Sequence, residues 1–424
     1  MARIAARVGT PVYVYSADMI RAQVQALRAA LSSLPVRIHY SVKANSSLAI
    51  LALLRDLGMG ADIVSGGELT RALRAGFAPS DLVFSGVGKR AEELAAAVAA
   101  GVGLINLESE GELEALAKVV RPADGSVAVG IRVNPDVTTE THPYTQTGKR
   151  GMKFGVPLDV VVPLAQRVMA VPGLTLRSLG MHIGSQVAEH GPYQCGAERL
   201  AALVAAVRGE GINSLSSVDV GGGFAIDYGQ GRSALDLAAL ATAVIGPLAR
   251  TTGLEVVVEP GRVLVGNAGV LLTRILYHKR SGGREILVAD AGMNDFMRPS
   301  LYQAHHEIAV VGSDPVFLNP PDARGEGSTG VSGSQAAEYD LVGPNCESGD
   351  FLALGRTLPS AGPGSLVAVL GAGAYGFGMS SHYNSRPRAA EVLVEGDRFG
   401  VIRLRESVEQ LMAGEFATPA WEGA

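Results

Sequence analysis

The stretch RIHYSVKAN, Arg37 to Asn45, is a short β-branched and aromatic run that ends in a lysine and an asparagine. It is the first of eight such runs. The others are GADIVS (60–65), DLVFSG (81–86), GLINLES (103–109), VAVGIRVNP (127–135), SLGMHIGS (178–185), SVDVGGG (217–223) and LEVVVEPG (254–261). Segments with helical period lie between them. From Tyr193 to Val207, for example, Leu200, Leu203, Val204 and Val207 fall at i, i+3, i+4 and i+7 and make one apolar face. Ser109-Glu110-Gly111-Glu112 reads as a capping box that opens another helix. Apolar strands alternating with helices signal βα units and a parallel sheet. Eight units over roughly 250 residues predict an α/β protein built on a (β/α)8 TIM barrel. The competing arrangement, an open doubly wound sheet, would carry GxGxxG after its first strand, and this chain does not.

After about residue 265 the pattern changes to β-rich segments with no helical period between them: VLLTRILYHKR, REILVADAG, HEIAVV, YDLVGP, SLVAVLGAG and AAEVLVEGDRFGVIRL. Gly396-Asp397 sits between two alternating runs as a hairpin turn. The expected organisation is a barrel over 16–268 and a C-terminal antiparallel β domain, of sandwich or barrel type, formed by 1–15 and 269–424. The Gly/Ser-rich stretch within 312–338 reads as a mobile surface loop.

The chain's totals exclude several classes of function. Of 424 residues, 47% are hydrophobic and 18% charged, which describes a globular protein rather than a disordered one. The net charge is −5 and no basic stripe with interleaved aromatics occurs, so no nucleic-acid partner is expected. No apolar run reaches transmembrane length, and MARIAARVGTP lacks an apolar signal core, so no membrane association is expected. Two cysteines, Cys195 and Cys346, cannot form a disulfide framework and have no metal-ligand spacing; a reducing, cytoplasmic compartment and no metal are the expectation.

Functional groups in such barrels gather at the C-terminal ends of the strands. That rule places Lys43, Asp62 and Ser65, His182 and Ser185, Gly221 to Gly223, and Glu259 to Arg262 around one mouth. Taken alone, Lys43 is a strand-end lysine reaching solvent along its alkyl stem. Three glycines after the seventh strand can be a plain turn, or a place where backbone N–H groups approach a phosphate without an intervening Cβ. A lysine, a phosphate cradle and the Glu259 carboxylate together are what pyridoxal 5'-phosphate needs: an amine for a Schiff base and an acid to keep the ring nitrogen protonated. His182 can pack against the flat ring.

The motifs HYSVKAN, ADIVSGGEL, HPYTQTG followed by KFG, GMHIGSQ, DVGGGF, EPGR, DAGMNDFMRPSLY, GPNCESGD and GAGAYGFGMSSHYN resemble the diaminopimelate decarboxylase family, among the fold-type III pyridoxal-phosphate decarboxylases with an alanine racemase-like barrel. The resemblance runs from Thr10 almost to the end of the chain. It implies that Lys43 carries the cofactor and His182 stacks on its ring. It gives the phosphate to Ser185, Gly222, Gly223, Gly261, Arg262 and Tyr375, and the ring nitrogen to Glu259. Arg262, Arg298, Tyr302 and Tyr375 would bind the amino-acid substrate, Cys346 would donate a proton, and Glu347 would hold the distal end of the substrate. In the family, Cys346 and Glu347 serve the partner's site, which implies a homodimer with shared active sites. The implied reaction converts meso-2,6-diaminopimelate to L-lysine and carbon dioxide. The alternative is a related decarboxylase acting on ornithine, lysine, arginine or a carrier-bound amino acid. A racemase would fit the barrel and the lysine but would leave CESGD without a purpose.

Overall fold

The computed structural model of the protein describes residues 1–121, 125–139, 142–229, 234–312 and 336–422. The chain forms two compact units: Ser16–Ala268 with Gly373–Gly378, and Met1–Tyr15 with Gly269–Ala372 and Met379–Ala424. The Gly/Ser-rich stretch expected as a mobile loop lies outside the described residues from 313 to 335.

β1 (Val12–Ser16) precedes the barrel, whose strands are β2 (Val36–Ser41), β3 (Gly60–Ile63), β4 (Leu82–Phe84), β5 (Leu104–Leu107), β6 (Val127–Val133), β7 (Leu174–Met181), β8 (Ser217–Asp219) and β9 (Glu255–Val258). They close in sequence order, with β9 returning to β2 through Val36↔Val256. All eight runs recognised in the sequence became strands, because each is long enough to cross the barrel wall and apolar enough to be covered on both faces. Phe84, Ile105, Leu107, Val129, Ile131, Leu179, Val218, Val256 and Val258 are buried accordingly. The helix expected near Tyr193–Val207 spans Gly191–Gly209 and buries Tyr193, Leu200, Val204 and Val207, with Leu203 half-buried at the edge of that face.

The proposed capping box is only half formed. Ser109 Oγ does accept from Glu112 N at 3.2 Å. The Glu112 carboxylate, however, accepts from Glu108 N at 2.7 Å and pairs with Lys89 at 2.7 Å, so a buried ammonium and the strand end claim it instead of the N-cap backbone.

The second unit holds a nine-stranded sheet among the described residues. Its further strands are β10 (Gly269–Ser281), β11 (Arg284–Ala289), β12 (Ile308–Val310), β13 (Ala336–Val342), β14 (Phe351–Pro359), β15 (Leu366–Val369), β16 (Ala390–Glu395) and β17 (Arg398–Arg403). The order runs β14-β13-β11-β10-β1-β16-β17, with β15 on β10 and β12 on β15. Gly396, at φ 56°, forms the β16–β17 hairpin turn as its sequence required. One pairing departs from the antiparallel expectation: β11 and β13 run parallel from Glu285↔Tyr339 to Val288↔Val342. The unexpected elements include the strand β14, the short helices Arg298–Tyr302 and Val408–Leu411, and the N-terminal helix Ala2–Val8, whose Ile4 and Ala5 pack with Val12, Val14, Val270, Leu272, Ala368, Ala390 and Val392 in the unit's core.

Candidate active site

Lys43 does not end a strand. β2 stops at Ser41, and Val42–Ala44 form a single 3-10 turn that swings the lysine over the barrel mouth. Four hydrogen bonds fix this turn. Ser41 N donates to Pro260 O at 3.1 Å, Tyr40 Oη donates to Asn45 O at 2.9 Å, Asn45 Nδ2 donates to Gly373 O at 3.0 Å, and Tyr375 N donates to Ala44 O at 2.8 Å. Asn45 therefore has a purpose the sequence did not disclose: it ties the lysine turn to Gly373–Gly378. Those six residues group with the barrel, although a boundary at 269 had assigned them to the β domain.

Lys43 Nζ donates to Asp62 Oδ2 at 2.9 Å. Asp62 is fully buried, and its Oδ1 has no hydrogen-bond partner. Burial opposes the Lys43 charge, but 34% of the side chain stays open to the cavity, and the charges of Asp62 and Glu259 outweigh the penalty and raise the ammonium above its ordinary range. Asp219, from the end of β8, and Glu259, just beyond β9, form a second acidic group. Burial pushes both carboxyls up; the charge of Asp219 raises Glu259 further, while a hydrogen bond from Glu259 holds Asp219 back, so the pair retains a proton that exposed carboxyls would lose.

His182 stands just beyond β7, with Nδ1 accepting from Gly222 N at 3.1 Å. A ring nitrogen that accepts a backbone N–H there bears no proton. Burial and the charges of Lys43 and Arg132 likewise hold the imidazole well below its ordinary pKa. The side chain of His182 is thus a neutral, oriented plate rather than an acid.

The glycines earn their place sterically. Gly221 and Gly223 have φ of 73° and 88°, and a Cβ on Gly222 would lie 1.9 Å from Glu259 O. Ser185 Oγ accepts from Arg262 Nη2 at 2.8 Å, Arg262 Nη1 donates to Tyr228 Oη at 2.5 Å, and the guanidinium lies 4.7 Å from the centre of the Tyr375 ring.

Lys43, Arg132, His182, Asp219 and Glu259 line a cavity of about 340 Å³, with Gly86, Val87 and Gly88 on one wall. That volume falls within the range of small-molecule sites. The donor set fits pyridoxal phosphate on structural grounds: one amine, one carboxyl with a retained proton, a neutral flat ring, and a cradle of glycines and cationic or hydroxyl groups that a single Cβ would obstruct.

The structure brings together Lys43, His182, Ser185, Gly222, Gly223, Glu259, Gly261, Arg262 and Tyr375 within one unit. Arg298, Tyr302, Cys346 and Glu347 belong to the other. There, Arg298 is buried and opens the helix Arg298–Tyr302, whereas Cys346 and Glu347 are exposed. Sequence reasoning gave no role to Asp219 or Arg132, and placed Asp62 at the mouth without a partner. Their strand-end positions were the available signal.

Residues 17–266 match the family described as pyridoxal-dependent decarboxylase, pyridoxal binding domain. The diaminopimelate decarboxylase of Pseudomonas aeruginosa is 43% identical over 99% of this chain and 96% of its own length.

The chain belongs to the diaminopimelate decarboxylase family.

Solved structures agree with this placement. The Helicobacter pylori diaminopimelate decarboxylase, complexed with L-lysine, superposes with a TM-score of 0.89 at 35% identity, covering 97% of this chain and 98% of that one. The M. jannaschii diaminopimelate decarboxylase, also in complex with L-lysine, gives 0.87 at 29% identity over 98% and 94%. As a diaminopimelate decarboxylase family member, the protein is a pyridoxal-phosphate-dependent carboxy-lyase with an eight-stranded parallel barrel and a mostly antiparallel β unit. Among the described residues no helix is long and apolar enough to cross a membrane, and no cluster of His, Cys, Asp and Glu could hold a metal ion.

Proposed function

We propose that the protein decarboxylates meso-2,6-diaminopimelate to L-lysine and carbon dioxide, the last step of lysine biosynthesis. The observation that carries this reading is that Lys43 and Glu259 line one cavity bordered by glycines, in a chain 43% identical to a diaminopimelate decarboxylase along nearly its whole length.

Bound pyridoxal phosphate supplies an electron sink for the pair of electrons left at the α-carbon when carbon dioxide departs. Lys43 would hold the cofactor's aldehyde carbon, Glu259 its ring nitrogen, and the His182 plate one face of its ring. Ser185, Gly222, Gly223, Gly261, Arg262 and Tyr375 would hold its phosphate. Burial and the charge of Asp219 raise the Glu259 carboxyl, so the Asp219–Glu259 pair holds a proton at the pH where an exposed glutamate would have lost it. Asp62 stabilises the Lys43 ammonium and so is placed to receive its proton when the amine must act as a nucleophile.

Arg262, Arg298, Tyr302 and Tyr375 would bind the substrate, with the planar guanidinium groups suited to carboxylates. Cys346 would deliver a proton to the α-carbon and Glu347 would meet the distal amino-acid end, both across the interface of a homodimer. The exposure of Cys346 and Glu347 supports that assignment, since a partner can reach them. The cytoplasm is the proposed compartment, where Cys195 and Cys346 would remain free thiols.

Carbon dioxide release from meso-diaminopimelate, L-lysine, L-ornithine and L-arginine tests the reading. Release from meso-diaminopimelate alone is expected. Equal turnover of L-lysine would refute the substrate assignment.

A further inference from the structure

We infer that His306 is a positioning residue for the reaction: its imidazole fixes the plane of the Arg298 guanidinium and thereby the affinity for the substrate carboxylate. The inference rests on the proposed role of Arg298 as a carboxylate-binding residue, and it adds a residue to which no role has been assigned.

His306 is completely buried. Its Nδ1 lies 2.8 Å from Leu370 O, and a carbonyl can only accept, so Nδ1 bears the hydrogen. Arg298 Nε, which can only donate, lies 3.2 Å from His306 Nε2, so Nε2 presents its lone pair. The two contacts demand the same neutral tautomer. A second proton on the ring would set N–H against N–H and place two cations side by side in a buried space.

The ring itself is held. Phe296 packs edge to face against it, with centroids 4.6 Å apart, and His306 O accepts from Arg356 Nη2 at 3.2 Å. Leu370 O is the near end of this arrangement, immediately after β15, and Arg298 is the far end. Because the bond reaches Nε rather than a terminal nitrogen, it sets the rotation of the whole guanidinium plane, and the Tyr302 ring 5.8 Å from Arg298 Cζ sits beside that plane. A bidentate carboxylate contact depends on that orientation, and both terminal nitrogens must meet the two oxygens together. An arginine with its Nε released would keep its charge and lose its aim.

The two nitrogens of the imidazole can be tested separately. His306→Asn can retain a donor for Leu370 O but cannot reach Arg298. His306→Gln can place its carbonyl oxygen near the Nε2 position and retain the acceptor. Steady-state kinetics on the holoenzyme with meso-diaminopimelate, together with inhibition by L-lysine, give the readout. An interaction equal in the ground and transition states moves KM and leaves kcat in place. His306→Asn is expected to raise KM on the order of tenfold, about the loss of one hydrogen bond to a charged group, with kcat nearly unchanged. The inhibition constant for L-lysine should rise in parallel, and His306→Gln should recover most of both.

Arg298→Lys separates two kinds of failure. If it raises KM while His306→Asn does not, the positioning role is refuted and the role of Arg298 stands. If Arg298→Lys leaves KM unchanged, both fail. Equal loss of kcat in His306→Asn and His306→Gln would mark a residue that only supports the fold, and would overturn the inference.

Discussion

Removing the ammonium of Lys89 should destabilise the barrel by an amount that depends on pH. Lys89 is buried, and its Nζ makes three polar contacts: Glu112 Oε1 at 2.7 Å, Gly86 O at 2.7 Å and Asn106 O at 2.8 Å. In Lys89→Met the stem volume is kept, the two carbonyls lose a donor, and Glu112 becomes a buried carboxylate without its counter-ion. Breaking a buried pair from one side costs about 3–5 kcal/mol.

The sign of the pH effect follows from Glu112. Burial raises its pKa, and Lys89 is the largest force lowering it, so the variant's folded state holds a proton on Glu112 to still higher pH than the wild type. A folded state that binds more protons than the unfolded one loses stability as pH rises. The penalty of Lys89→Met should therefore be larger near pH 8 than near pH 5, because the variant's Glu112 carries a proton in a larger share of molecules at the lower pH. Thermal denaturation of the holoenzyme at both pH values is the assay. For a domain of this size, roughly 2–4 °C per kcal/mol converts the full penalty to a midpoint lower by about 10 °C. Lys89→Met combined with Glu112→Gln removes the orphaned charge and keeps an acceptor for Glu108 N, so it should recover part of that loss at pH 8 and a smaller part at pH 5. A penalty independent of pH, or a double variant no better than the single one at pH 8, would refute the reasoning.

Asp62→Asn should lower the Lys43 ammonium's pKa, because Asp62 is the largest of the forces raising it; titration of the apoenzyme by reductive methylation and NMR measures this, and an unchanged titration would contradict the ion-pair account. Mixing inactive Lys43→Ala subunits with inactive Cys346→Ala subunits should restore activity, because a mixed dimer would contain one site with both groups intact. No recovery after confirmed subunit exchange would argue against a shared site.

The barrel was legible because its strands are continuous apolar runs, a local property that survives in the sequence. Most of the residues proposed to hold the cofactor were legible for a related reason, since strand ends face one mouth once the barrel is granted. What the sequence concealed is non-local. Asn45 has its partner in Gly373, and no short-range pattern connects the two. The same is true of the parallel β11–β13 pairing, which joins segments separated by more than the length of a hairpin. β14 was missed because its faces do not alternate: Leu352 and Ala353 are both buried, and the register to β13 shifts at Leu341, so the period of two is broken. The turn at Lys43 was read as strand because Val42 and Ala44 are buried like strand residues while the backbone has already turned.

The return of Gly373–Gly378 to the barrel has a consequence for the protein's synthesis. The ribosome releases all eight barrel strands well before Tyr375, since the whole segment Gly269–Ala372 is translated in between. A nascent barrel can close its wall during that interval, but Asn45 then waits for Gly373 and Ala44 for Tyr375. The pocket reaches its finished form late in translation, so a chain truncated before residue 373 would carry Lys43 on a turn that lacks two of its four tethers.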